Sequence, residues 1–257
     1  MTGGSVGQLA RPMAVVLALA LAPALSMGSR AQDAPGTRPN MVPVGQPVDL
    51  FFTFNAHADM PEMDVYLPCA DQPDMVCRVQ PKDVATRRDE QLFGSADMIL
   101  HDPANPDAVG PYERGKPLGV TLGDWFLAGG TARLSCDDPG TGRVRARFEN
   151  LMPNAVYTMW FAWIAKPMLA GRFATSDNPI GAMDGSESAF RTDDKGNARF
   201  EATHVPCFEL SSERMWTLLL IAYHSDGAVY GAWVGPMGQV SHVHMFQMLP
   251  SEEELTR

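Results

Sequence analysis

Residues 142–148 read Gly142-Arg143-Val144-Arg145-Ala146-Arg147-Phe148. Apolar and charged side chains alternate without a break, and a period of two is the mark of a half-buried strand with one face to the core and one to water. The same alternation appears upstream, where Leu134 and Cys136 alternate with Arg133 and Ser135, and downstream, where Ala198, Phe200 and Ala202 alternate with Arg199 and Glu201. Pro139-Gly140-Thr141-Gly142 separates the first two runs and fits a hairpin connection, and Asp193–Asn197 supplies a turn before the third.

Two further runs, Ala155–Trp163 and Trp216–Tyr223, are apolar on both faces. Their aromatic and β-branched content reads as central strands covered on both sides. Val48–Phe54 and Val240–Leu249 complete the set of expected strands. Short strands joined by Gly- and Asp-rich turns, with no helical periodicity between them, predict an all-β fold. The expectation is an antiparallel β-sandwich of Ig-like or Greek-key type with an irregular N-terminal segment. Residues 57–115 are rich in Asp, Pro and Met and read as a loop-rich segment, with a short helix expected around Asp83–Phe93. Residues 47–115 either form their own domain or add strands to the main sandwich, the second being favoured.

The N-terminus sets the compartment. A polar leader ends in Arg11, an apolar stretch runs from Met13 to Leu25, and small residues precede a cleavage point after Ala31. The stretch is shorter than the roughly 20 residues of a spanning helix and contains Pro23. Residues 1–31 are therefore expected to be a cleaved signal peptide, with no membrane span left after cleavage and a periplasmic or secreted product. Residues 32–46 are expected to be a flexible leader, 47–250 a single β-sandwich domain and 251–257 an acidic tail. The chain of 257 residues carries a net charge of −10. The two charges in the signal region are both arginines, so the exported part is more acidic still. That excess argues against nucleic acid and anionic membrane as partners.

Export also makes disulfides the default for Cys69, Cys77, Cys136 and Cys207. Of the three pairings, Cys69–Cys77 with Cys136–Cys207 is favoured, the first closing a short loop and the second stapling two strands. With the thiols taken, a metal site would be built from His, Met and carboxylate. The candidate lies in Ser241-His242-Val243-His244-Met245-Phe246-Gln247-Met248. On a regular strand His242, His244 and Met248 share one face and Met245 takes the other. His224 and Asp226, after a central strand, are candidate further ligands, and imidazole with thioether suits copper or zinc. His57, Met60 and Met63 form a second His/Met group. The competing reading makes these histidines hydrogen-bonded structural residues and the methionines core padding.

No Gly-x-Ser-x-Gly elbow, HExxH helix, phosphate loop or dinucleotide fingerprint is present, and Gly185-Ser186-Glu187-Ser188 has no recognisable base. The Arg143, Arg145, Arg147 row invites an anion-binding reading against cross-strand pairing with acids such as Glu201. Trp163 and Trp233 are candidates for an exposed aromatic patch. The favoured function is binding of an unknown ligand or protein partner rather than catalysis. A copper- or zinc-binding protein and a hydrolase with an unrecognised site are the alternatives.

From Gly119 to His244 the chain resembles a type of uncharacterised exported bacterial β-sandwich protein. The resemblance rests on Thr121–Trp125 (TLGDW), Phe148–Trp160 (FENLMPNAVYTMW), Gly181–Phe200 (GAMDGSESAFRTDDKGNARF) and Leu218–Gly231 (LLLIAYHSDGAVYG). It implies a fold and a compartment and brings no activity. His242-Val243-His244 is also loosely similar to the strand-borne His-x-His of copper–zinc superoxide dismutase. That family carries the pair early in the chain, and its later His and Asp ligands have no match here, so no catalytic role carries over.

Overall fold

A computed structural model describes residues 40–99, 109–138, 140–166 and 175–257. The expected signal peptide, residues 32–39 and Pro139 lie outside the described residues. The described residues belong to one compact unit. In chain order its strands begin with β1 (Val48–Phe51), β2 (Tyr66–Pro68), β3 (Met75–Arg78), β4 (Gln91–Ser95) and β5 (Tyr112–Thr121). Next come β6 (Gly129–Asp138), β7 (Thr141–Glu149), β8 (Val156–Ala165), β9 (Thr175–Pro179) and β10 (Ala189–Arg191). The last are β11 (Ala198–His204), β12 (Met215–His224) and β13 (Ser241–Met248). Three helices of four residues each, α1 (Asp83–Thr86), α2 (Leu122–Trp125) and α3 (Glu252–Leu255), punctuate them. Among the described residues no helix is long and apolar enough to cross a membrane.

The fold is the expected all-β sandwich. One antiparallel sheet has the order β1-β6-β7-β11 and the other β10-β8-β12-β13, with β9 also paired to β8. The alternating runs form the first sheet, with Val144, Ala146 and Phe148 buried and Arg145 and Arg147 exposed. The doubly apolar runs become β8 and β12 at the centre of the second. The inner face of β8 and β12 (Tyr157, Met159, Phe161, Leu219, Ile221) joins the main core between the sheets. The outer face (Trp160, Ala162, Leu218, Leu220) builds a second apolar layer with Met63, Val243 and Phe246. Gly130 on β6 leaves room for the Phe148 ring of its cross-strand partner on β7, because a Cβ there would sit 2.5 Å from that ring.

Where the chain enters the sandwich it switches sheets. β1 pairs with β6 through Phe51, and two residues later Thr53 exchanges backbone hydrogen bonds with Phe246 on β13. The expected strand to Phe54 therefore ends early as a ladder of the first sheet and continues as a clip on the second.

Three expectations are sharpened or corrected. Residues 57–115 hold β2, β3, β4 and the start of β5, and β2, β3, β5 and β4 close into a small barrel. Val65, Leu67, Val79 and Leu92 face the main core, while Tyr66, Val76, Phe93 and Tyr112 pack together in a separate cluster. Pro- and Asp-rich turns masked these strands because each is only three to five residues long. The helix expected over 83–93 is only Asp83–Thr86, since from Gln91 the backbone pairs with β5. Residues 40–46 do not behave as a free leader. Val42 is buried and donates its N–H to Phe208 O, and Met41 and Val44 bridge to Glu209 and Cys136.

Both disulfides form as expected, Cys69–Cys77 and Cys136–Cys207, and among the described residues no cysteine is free. The first ties the residue just after β2 to β3. The second ties the end of β6 to the chain just after β11, so its strand-to-strand expectation holds on one side only.

Candidate functional site

The three histidines singled out in the sequence are all buried, and each is locked into a neutral form by its partners. His244 starts from α2, which Thr121 caps: its hydroxyl accepts from Asp124 N–H, and Asp124 accepts in return from Thr121 N–H. This capping box sets Trp125, whose indole stacks on the His244 ring at 3.6 Å between centroids. The Trp125 carbonyl takes the Nε2–H of His244 at 2.9 Å. Nδ1 is then the lone-pair nitrogen, and it accepts the Tyr157 hydroxyl at 2.9 Å. Tyr157 in turn accepts the Met152 N–H. Burial lowers the imidazole to about 3, so it is neutral.

His242 donates Nδ1–H to the Asp64 carbonyl at 2.5 Å, and its Nε2 accepts from the Ser225 hydroxyl at 3.1 Å. Burial again lowers its affinity for a proton, the nearby Asp64 partly offsetting this. At His224 the Trp160 indole N–H donates to Thr158 Oγ1, leaving the threonine hydroxyl to donate to His224 Nε2 at 2.7 Å. Nδ1–H then remains, buried and without a partner. Burial brings this ring to about 4.

In all three rings the lone pair that would bind a metal accepts a hydrogen bond. The expected common face is broken as well. Ile221 pairs with Met245 but Ala222 pairs with Val243, a bulge that leaves His244 as the extra residue. Beyond it the parity changes. Met245 joins the main core with the ring of His244, while Met248 stands opposite Leu218 on the outer face. Met248 is thus separated from His242 and His244, correcting the regular-strand expectation. Asp226 is exposed and accepts from Tyr230 O–H at 2.6 Å and Ala228 N–H at 3.0 Å. In the second His/Met group, His57 stacks on Phe126 whereas Met60 and Met63 pack on the outer apolar layer. Among the described residues no group of three or more His, Cys, Asp or Glu is placed to hold a metal ion.

The arrangement does bring together a hydroxyl and a base. Ser225 is exposed, on the turn after β12, and its hydroxyl faces an unprotonated Nε2 whose ring is fixed by Asp64. This is the geometry of a nucleophile, a base and an orienting group. Thr158, His224 and Asp226 superficially offer another, but Thr158 is fully buried and no substrate could reach it. Ser186 and Ser188 are held in their own turn by Asp184 and the Gly185 carbonyl.

A cleft of about 810 Å³ opens where the ends of β8 and β11 face each other. Phe161, Trp163, Met41, Val44, Met183 and Val205 supply its apolar wall. Val205 is 74% exposed and Met183 54%. His204 stands in this wall, ring-stacked on Phe208 and 5.3 Å from the Phe161 ring, with Nδ1 buried and unpartnered. Burial lowers its proton affinity. Trp163 thus belongs to a concave site; Trp233, 63% exposed, does not line this cleft. Sequence reading missed the cleft because its wall comes from four separated segments. It missed Ser225 because the partner base lies seventeen residues on. The chain matches no family and no curated protein at a significant level.

Proposed function

We propose that the protein is a periplasmic or secreted, disulfide-stapled β-sandwich that binds a small, largely apolar ligand in the cleft beside Trp163. The cleft itself carries this reading. Its volume lies in the range of about 300–1,000 Å³ that small-molecule sites occupy, and such sites combine an apolar wall with a few polar groups. His204 supplies the polar group through Nε2, the ring nitrogen other than the buried Nδ1, able to bond one oxygen or nitrogen of the ligand. Titration with a hydrophobic fluorescent probe such as 1-N-phenylnaphthylamine tests it. Saturable binding that quenches tryptophan emission and weakens at least tenfold in Val205→Arg supports the site. Binding indifferent to Val205→Arg, or none, removes it.

The Ser225–His242 contact favours a second reading, an ester or thioester hydrolase. In it the Ser225 hydroxyl passes its proton to His242 Nε2 while attacking the carbonyl carbon. The intermediate collapses with cleavage of the ester C–O or thioester C–S bond, the leaving alkoxide or thiolate takes that proton, and water releases the acyl group from Ser225. Incubation with a fluorophosphonate, followed by mass spectrometry, decides between the two: an adduct on Ser225 that disappears in His242→Gln supports the hydrolase, and an unlabelled Ser225 rejects it.

A further inference from the structure

The outer face of the β1-β6-β7-β11 sheet carries two neighbouring cross-strand rows of opposite character. Registers Asp49↔Arg133, Arg133↔Arg145 and Arg145↔Glu201 define the first. It neutralises itself: Arg133 pairs with Asp49 at 2.7 Å and Arg145 with Glu201 at 3.0 Å. Arg143, one step further along, is likewise held by Asp137 and Glu201. Cross-strand pairing with acids therefore accounts for Arg143 and Arg145.

It fails for Arg147. Two residues along the strands, Phe51↔Thr131, Thr131↔Arg147 and Arg147↔Arg199 define the second row. Here an aromatic ring, a hydroxyl and two guanidiniums stand side by side, all exposed. Among the described residues no carboxylate lies within ion-pair distance of Arg147 or Arg199. Like charges directly opposite on adjacent strands destabilise a sheet, and the chain is otherwise strongly acidic. Phe51, 70% exposed, adds a large apolar surface to the same row. A groove of about 840 Å³ runs over both rows.

We propose that the Phe51–Thr131–Arg147–Arg199 row binds an acidic oligosaccharide. The paired guanidiniums would clamp one carboxylate or sulfate through bidentate hydrogen bonds. Thr131 bonds a ring hydroxyl, and the Phe51 ring packs on the apolar face of a sugar. Strand spacing of about 4.8 Å makes the row roughly 14 Å long, suited to an extended chain rather than a lone ion. The charge pattern selects this occupant over nucleic acid. Two unpaired cations in an acidic protein suit a polymer with sparse charge, whereas a densely charged backbone meets net repulsion. This site is separate from the cleft at Trp163 and shares no lining residue with it.

The test is affinity electrophoresis of the full chain in gels containing hyaluronate (one carboxylate per disaccharide), κ-carrageenan (one sulfate per disaccharide) or neutral dextran. Retardation by either acidic polymer and none by dextran is expected; which acidic polymer retards more identifies carboxylate or sulfate as the recognised group. Arg147→Gln/Arg199→Gln should weaken retention at least tenfold and Phe51→Ala several-fold. The charge-neutral pair Asp49→Asn/Arg133→Gln should stay within about twofold. Because the mutated side chains are exposed, the arginine double variant should melt no lower than the parent. No retention by either acidic polymer overturns the proposal. So does retention that survives loss of both arginines, or that single-stranded DNA competes away at equal charge.

Discussion

The Tyr157 hydroxyl donates to His244 Nδ1 across the core, joining residues 87 apart in sequence. It is the middle link of a relay that starts at Met152 N–H, crosses the phenol and the imidazole, and terminates on the Trp125 carbonyl. Every member is satisfied, so removing one leaves the others unpaired. Tyr157→Phe is expected to cost about 1–3 kcal/mol, since the Met152 N–H and the His244 lone pair both lose their partner while the ring packing is kept. Urea denaturation of the pair of proteins measures it; an unchanged midpoint would mean that the relay contributes nothing.

Stability should peak near pH 6.5, because two sets of buried groups pull in opposite directions. Burial lowers His244 to about 3 and His224 to about 4 from 6.5. The unfolded chain therefore takes up protons that the folded one refuses, and stability falls as pH drops below 6.5. Glu62, fully buried, is raised from 4.5 to about 8. It stays protonated in the folded protein while the unfolded chain ionises, so it removes stability as pH rises from 4.5 to 8. Each group contributes a slope of about 1.4 kcal/mol per pH unit. Two histidines outweigh one glutamate below 6.5, and the glutamate acts alone above it. Glu62→Gln should flatten the alkaline limb between pH 6.5 and 8 and steepen the acid limb between pH 4.5 and 6.5, where the glutamate no longer opposes the histidines, as followed by chemical denaturation at each pH.

The two disulfides should differ in weight. Cys136–Cys207 closes a loop with a sequence separation of 71 and Cys69–Cys77 one of 8. On the chain-entropy account, Cys136→Ala/Cys207→Ala costs about 4 kcal/mol and Cys69→Ala/Cys77→Ala about 2.5. Melting of the two double variants ranks them, and the reverse order would show that native-state packing around Cys69 dominates loop entropy.

Ser225→Ala separates structure from chemistry at the exposed hydroxyl. Its bond to His242 is the only side-chain partner of that Nε2 among the described residues. Loss of about 1 kcal/mol of stability is expected. Ligand binding in the Trp163 cleft should be unchanged, and a fall in probe affinity there would tie two sites that the fold keeps apart.

Much of the sandwich was legible because side-chain parity is a local property: Arg143 through Phe148 announce their two faces without help from the rest of the chain. The barrel was not, since Tyr66–Pro68 and Met75–Arg78 are too short to display a period and acquire their pairing from Phe93 and Tyr112. The histidines were correctly picked out as unusual, yet their partners, Trp125, Tyr157, Thr158, Asp64 and Ser225, are scattered over the chain. The face of Met248 depended on one extra residue at His244 that alternation cannot reveal. Arg147 shows the opposite limit. Its row looked uniform with Arg143 and Arg145 until the register put Arg199, rather than an acid, across from it.

The Thr53 clip has a bearing on self-association. β13 is the outermost strand of its sheet and is buried from Ser241 to Phe246, so its open side would present unpaired backbone beside a continuous apolar surface. Thr53, reached because the chain leaves β1 for the other sheet, takes up that side at Phe246. The stretch that follows the leader thus serves as a guard rail for the neediest edge. Proteolytic trimming that stopped before residue 40 would leave it intact, whereas trimming past Phe54 would turn the same strand into a template for joining another copy.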